Sequence, residues 1–204
     1  MRFVVETLAI GLLLLAQPLV LAADTSVESA ASPGPGMDES ALYQQALGLV
    51  QQYAGQLKPA LLGALADGGP EHAVRICAEK APEIGATLTT QSGWQISRVS
   101  SRPRNAEKAM PGEWEAAVLA DFEARQQQGE PVGQLEYAAL VGNEYRFMKA
   151  QGVEGVCVVC HGKMIAPSLQ SVIQQRYPDD QATGYSLGEV RGAFRLVRSI
   201  QPGG

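Results

Sequence analysis

Residues 157–161 read Cys-Val-Val-Cys-His. Two thiols three positions apart with a histidine directly behind them form the C-x-x-C-H arrangement that attaches a c-type haem. Both thiols reach the vinyl groups and form thioethers, and the adjacent imidazole faces the iron. Other uses of these residues fit less well. A thioredoxin-like redox pair wants a βαβ context and an exposed helix N-terminus, and neither is evident. A closed zinc site wants four ligands, and no second pair stands at a suitable spacing. A Cys157–Cys160 disulfide would close a very tight loop and leave His161 without a purpose. The whole chain has 3 Cys and 2 His, too few for a disulfide-stapled scaffold or a multi-metal array.

The third thiol, Cys77, has no intramolecular partner once Cys157 and Cys160 are used. It lies on an apolar helix face beside Val74, Ala78 and Ala81, where a thiol can simply fill core space. A low-spin iron also needs a sixth ligand. The candidates are Cys77, His72, Met37, Met110, Met148 and Met164. Met164 follows His161 too closely to reach the opposite haem face. His72 and Cys77 are about 1.4 helical turns apart, so at most one of them faces the haem; His72, in the first turn, is expected in solvent. Arg98, Arg102 and Arg104 form a basic cluster able to pair with haem propionates bidentately, or to stand as a solvated loop. Trp94, Tyr145, Phe147 and Phe194 are candidates for the pocket wall, or plain core.

These residues need elements to position them. Asp38 caps a helix along which Leu42, Ala46, Leu49, Tyr53 and Leu57 recur at helical spacing. Pro59 is expected to kink or end it. Gly68-Gly69-Pro70 punctuates, and a second helix carries Val74 to Ala81 and stops around Pro82. Residues 94–101 predict a strand. Residues 102–110 form a basic loop. Pro111 opens a helix through Trp114, Val118 and Phe122. Runs at 135–141 and 144–149 flank Gly142-Asn143, a hairpin signal. A short helix near 168–176, a turn at 178–184 and a strand near 190–199 complete the chain. Helices around an antiparallel hairpin and a later strand predict an α+β fold.

The N-terminus reads as an address. Arg2 precedes an apolar run from Leu8 to Ala22 that ends in small residues, the pattern of a secretory signal peptide cut near Ala22 or Ala23. The run is short and interrupted by Gln17 and Pro18, which disfavours a membrane anchor. Residues 1–23 are therefore expected to be removed, 24–37 to form a flexible linker, and 38–204 to form the domain. The mature protein is expected to be soluble and periplasmic, with no stable membrane span. The balance of 16 Lys+Arg against 21 Asp+Glu, net −5, excludes a general basic field for nucleic acid.

Several stretches resemble a known family: Ala73 to Pro82 (AVRICAEKAP), Ser101 to Asn105 (SRPRN), Tyr145 to Met148 (YRFM), Cys157 to Gly162 (CVVCHG), Tyr177 to Tyr185 (YPDDQATGY) and Gly188 to Phe194 (GEVRGAF). The family is that of single-haem c-type proteins with a PAS-like fold, once a domain of unknown function, found alone and as sensor modules. The resemblance spans about residues 40–200 and implies a PAS-like antiparallel sheet flanked by helices with one covalent haem c. It also implies axial ligation by the motif histidine and an upstream-helix cysteine, which here are His161 and Cys77. A thiolate stabilises ferric iron and lowers the reduction potential. The expected function is low-potential electron transfer with a redox partner protein. The alternative is a redox or gas (CO/NO) sensor signalling through a partner protein. Nothing resembles distal acid–base machinery, so no enzyme is expected.

Overall fold

The computed structural model describes residues 38–200; the expected signal peptide (1–23) and linker (24–37) lie outside them. Helix α1 spans Glu39–Ser92, and the Asp38 carboxylate caps it by accepting from the Ser40 N–H at 2.9 Å. It is broken at Gly68 and Gly69. Gly69 sits at φ 70°, ψ −171°, a conformation that glycine reaches without a side-chain penalty. Pro70 then starts a second limb. The Tyr53 hydroxyl donates to the Ala81 carbonyl at 2.5 Å. A straight helix would hold those residues about 42 Å apart, so the second limb folds back along the first.

Neither Pro59 nor Pro82 ends its limb. Pro59 lies inside the first limb without ending it, and the second limb does not stop at Pro82 but continues to Ser92. A proline removes one helical hydrogen bond. Beyond Pro82, Ile84 and Leu88 continue the helical spacing and are buried in the core, and that burial outweighs the missing bond. Gly93, at φ 72°, ends the helix by donating to the Thr89 carbonyl, a left-handed cap.

Strands β1 (Gln95–Val99), β2 (Glu136–Val141), β3 (Glu144–Gly152) and β4 (Val190–Ser199) form a four-stranded sheet in the order β1-β4-β3-β2. Every pairing is antiparallel. The β2–β3 hairpin turns at Gly142-Asn143 as expected, with Gly142 at φ 61°. The remaining helices are α2 (Ala106–Ala109), α3 (Glu113–Gln127), α4 (Val158–His161) and α5 (Pro167–Arg176). The class is α+β, as the sequence predicts.

Successive side chains of a strand point to opposite faces, and apolar residues on both faces of this sheet are buried. Phe147 and Phe194 pack under α1 with Leu42, Tyr53, Leu88 and Trp94. Their neighbours Met148 and Ala193 face the other way, against Val118, Leu119 and Phe122 of α3. Trp94, Tyr145, Phe147 and Phe194 are thus all members of the α1-side core. Among the described residues no helix is long and apolar enough to cross a membrane.

Candidate functional site

The Cys-Val-Val-Cys-His motif folds into one helical turn. The Cys157 carbonyl accepts from the N–H of Cys160 at 3.2 Å and of His161 at 2.9 Å. Positions i, i+3 and i+4 share a helix face, so this turn puts both thiols and the imidazole on one side. Cys157 packs against Val153, Ala182 and Tyr185, and Cys160 against Val74, Leu169 and Ile173. The turn is therefore wedged between the second limb of α1 with α5 on one flank and the loop before β4 on the other. Cys77, Cys157 and Cys160 are all free thiols and half-buried. Gly162 closes the turn: a Cβ there would lie 2.4 Å from the Val158 carbonyl oxygen, so a larger residue would push the motif open.

His161 is held from the loop before β4. Its Nδ1 lies 2.7 Å from the Ala182 carbonyl oxygen. A carbonyl only accepts, so Nδ1 carries the proton and the Nε2 lone pair is left for a ligand. The Tyr185 N–H donates to the His161 carbonyl and the Gly184 N–H to the Gly162 carbonyl, each at 2.9 Å. Burial, then the Arg191 and Arg104 charges, hold the imidazole well below its ordinary pKa. The ring is neutral at physiological pH, as a metal ligand must be.

The arginines divide by role. Arg104 reaches the motif backbone: Nη2 donates to the Cys160 carbonyl and, at 3.3 Å, to that of Ala182, while Nε donates to Asp180 at 3.2 Å. The same Asp180 oxygen accepts from the Ala182 N–H at 2.9 Å, which fixes the carbonyl that holds His161. Arg102 lies over the Tyr185 ring, 3.7 Å from its centroid, and donates to the Thr183 carbonyl at 3.2 Å. Arg98 stacks on Tyr53 at 5.9 Å. Arg191 points its Nε at His161 Nδ1 from 3.2 Å and donates Nη1 to Ser100 Oγ at 3.0 Å. Burial pulls Arg191 down to about 10, which still leaves it a cation at neutral pH.

Cys77 comes to the motif on the second limb of α1, which packs against α4 and α5. A hydrogen bond from Ser168 to Glu71, at 2.8 Å, ties limb and α5 together. Burial pushes the Cys77 thiol up, opposed by Arg98 and Arg104, and Cys77 is close enough to Cys160 to raise its thiol in turn. The other candidate sixth ligands are placed differently. Met110 and Met164 are exposed, Met148 is buried under α3, and His72 packs against the Gly68 break. Met37 lies outside the described residues.

Sequence reasoning assigned no role to Arg191, Asp180, Ala182 or Tyr185. The signal was available in part. These residues lie in the Tyr177–Tyr185 and Gly188–Phe194 stretches, and the first of these reads in sequence as a turn. Nothing in their spacing relates them to a histidine 19 to 30 positions earlier.

A family model described as Tll0287-like: Tll0287 matches residues 34–198. Among solved structures, the fold is similar to that titled "Crystal structure of the cyanobacterial heme-protein Tll0287". The two are 21% identical, with a TM-score of 0.58, over 78% of this chain and 98% of that one. The likeness is one of fold, and the arrangement of sheet and helices is PAS-like, as expected. No curated protein matches the sequence.

Proposed function

The chain belongs to the Tll0287-like family, and from that premise we propose that it is an exported, single-haem c-type protein that carries electrons at low potential. The observation that carries this reading is the α4 turn: two free thiols and a neutral imidazole on one face, with Nδ1 committed to Ala182 and Nε2 uncommitted. This donor set fits a haem held through thioethers at Cys157 and Cys160 with His161 as axial ligand. The solved relative's title calls that protein a heme-protein, which supports the same cofactor here. Bound at this site, the haem supplies a one-electron iron couple.

The chain's own residues do the rest. Cys157 and Cys160 tether, and His161 ligates with its ring orientation set by Ala182. Cys77 would be the second protein ligand; its thiolate would be an anionic donor that favours ferric iron and lowers the potential. Arg104 Nη1 makes no hydrogen bond among the described residues and is free to pair with a propionate; Arg102 stands on the exposed side of the same loop. The apolar run at Leu8–Ala22 supports export to the periplasm, where a redox partner protein would meet it. The role is transfer rather than catalysis.

The test is the purified holoprotein, made alongside a c-type maturation system. A haem-stained denaturing gel and an intact mass heavier by one haem are expected, and both signals are lost in Cys157→Ala/Cys160→Ala. Haem that leaves on denaturation would overturn covalent attachment. Oxidised and reduced spectra with and without CO decide the function. A reduced protein that stays six-coordinate and ignores CO is expected of a carrier. Reduction that opens the iron to CO would move the assignment to a gas or redox sensor. Potentiometry of Cys77→Ala is expected to give a higher midpoint; an unchanged one would remove Cys77 as ligand.

A further inference from the structure

We propose that Arg191, which has no carboxylate ion-pair partner among the described residues, is the positive charge beside His161 that raises the iron's reduction potential, partly offsetting the Cys77 thiolate; this rests on the haem assignment above. Three groups converge on one nitrogen. His161 Nδ1 lies 2.7 Å from the Ala182 carbonyl oxygen, 3.2 Å from Arg191 Nε and 3.3 Å from Arg104 Nη2. The carbonyl can only accept, so it takes the Nδ1 proton. With that proton in place the nitrogen has no in-plane lone pair for the Arg191 Nε–H aimed at it or for Arg104 Nη2. Both stand against the imidazole as fixed charges.

The two charges are not equivalent. Arg104 is paired with Asp180 at 3.2 Å, and that carboxylate is almost fully buried with it. Arg191 forms no ion pair with a carboxylate among the described residues. Its contacts are neutral: Ser100 Oγ at 3.0 Å, the Arg102 carbonyl at 3.3 Å and the Tyr185 ring at 5.4 Å; the Asp180 charge reaches it only from beyond ion-pair distance, that carboxylate being paired with Arg104. Ser100 is itself buried, and its one hydroxyl proton has the Arg191 carbonyl at 2.8 Å and the Arg102 carbonyl at 3.0 Å to choose between, so the guanidinium is clamped where β4 begins. A positive charge held beside the axial imidazole favours the state with one more electron. Such a charge is screened little by salt where it is shielded from solvent. Arg104, already neutralised, acts chiefly as a brace for the Cys160 and Ala182 carbonyls.

The experiment is potentiometry on the holoproteins of wild type, Arg191→Gln, Arg191→Lys and Arg104→Gln. Arg191→Gln is expected to shift the midpoint downward and Arg191→Lys to restore most of it, both with the wild-type oxidised spectrum. Arg104→Gln is expected to move the potential less than Arg191→Gln. If Arg191→Gln does not accumulate, Arg191→Met keeps the aliphatic stem, removes the charge and is expected to give the same downward shift. An unchanged midpoint in the neutral variant overturns the inference, as does a lysine variant that behaves like the glutamine one. These failures are distinct from failure of the haem assignment. Wild type without covalent haem would remove both, whereas haem-loaded variants at wild-type potential would remove only the role of Arg191.

Discussion

The layer between α1 and the sheet and the cluster around α4 are held by different forces. In the first, Phe147, Leu196, Leu42 and Trp94 are buried and meet other apolar groups. Its few polar atoms are satisfied locally, as where the Tyr53 hydroxyl meets the Ala81 carbonyl. Around α4 the apolar contacts are small, and position is set by carbonyls, guanidinium groups and one carboxylate. Apolar burial is non-directional and proportional to area, so it stabilises a fold without aiming any one atom. Hydrogen bonds and charges aim atoms, and each adds only about 1 kcal/mol net. The molecule therefore draws its stability from one region and its ligand geometry from the other.

The largest expected effect that would break this division is in the core. Phe147→Ala is expected to cost about 3–5 kcal/mol by chemical denaturation while leaving the spectrum of the surviving folded protein unchanged. A ligation change at small stability loss would contradict the division. Next is the pH response of the Cys157→Ala/Cys160→Ala protein. The folded-state pKa of His161 is depressed, by burial and then by Arg191 and Arg104. As pH falls below about 6.5 the unfolded chain takes up the imidazole proton first. The stabilisation present above that pH is thus lost toward the lower folded pKa, at up to about 1.4 kcal/mol per pH unit. Adding His161→Asn should flatten that slope, and an identical slope in both proteins would refute it.

Smaller again is Tyr53→Phe, which removes the tie between the limbs of α1. A loss of about 1 kcal/mol is expected with normal haem content; reduced haem content would show that the hairpin tie also aims Cys77. The smallest effect is at Lys58, whose bridge to Glu154 at 2.7 Å lies on the surface. Surface pairs of this kind contribute little. Lys58→Ala is expected to melt with wild type, and a clear drop would mean that the bridge helps seat the α4 turn.

Much of the fold was legible in the sequence because its signals are local. Gly142-Asn143 sits between two β-rich runs, Asp38 stands before a helical pattern, and the run near 190–199 marks the last strand. The prolines were misleading for a physical reason. A local breaker at Pro82 competes with distant burial of Ile84 and Leu88, and only the second quantity needs the sheet to be known. At the site, the motif and Cys77 were legible by residue type. Arg104 was singled out as a partner for propionates, while its Nε and Nη2 face Asp180, Cys160 and Ala182. Arg191 and Ala182 were not legible as site residues, because one acts through a side chain on β4 and the other through a backbone carbonyl.

By itself the sequence determined the donor atoms, their spacing on one helical turn, the helix break at Gly68-Gly69 and the α+β class, all properties of residue type and short-range periodicity. Only the tertiary structure decided which nitrogen of His161 is committed, which arginine is neutralised and that Cys77 stands on the motif's side. Those outcomes depend on contacts between distant residues, such as Ala182 with His161, 21 positions apart, and Asp180 with Arg104, 76 apart. No local pattern encodes such contacts; they exist once apolar burial has brought β4, the preceding loop and the second limb of α1 together.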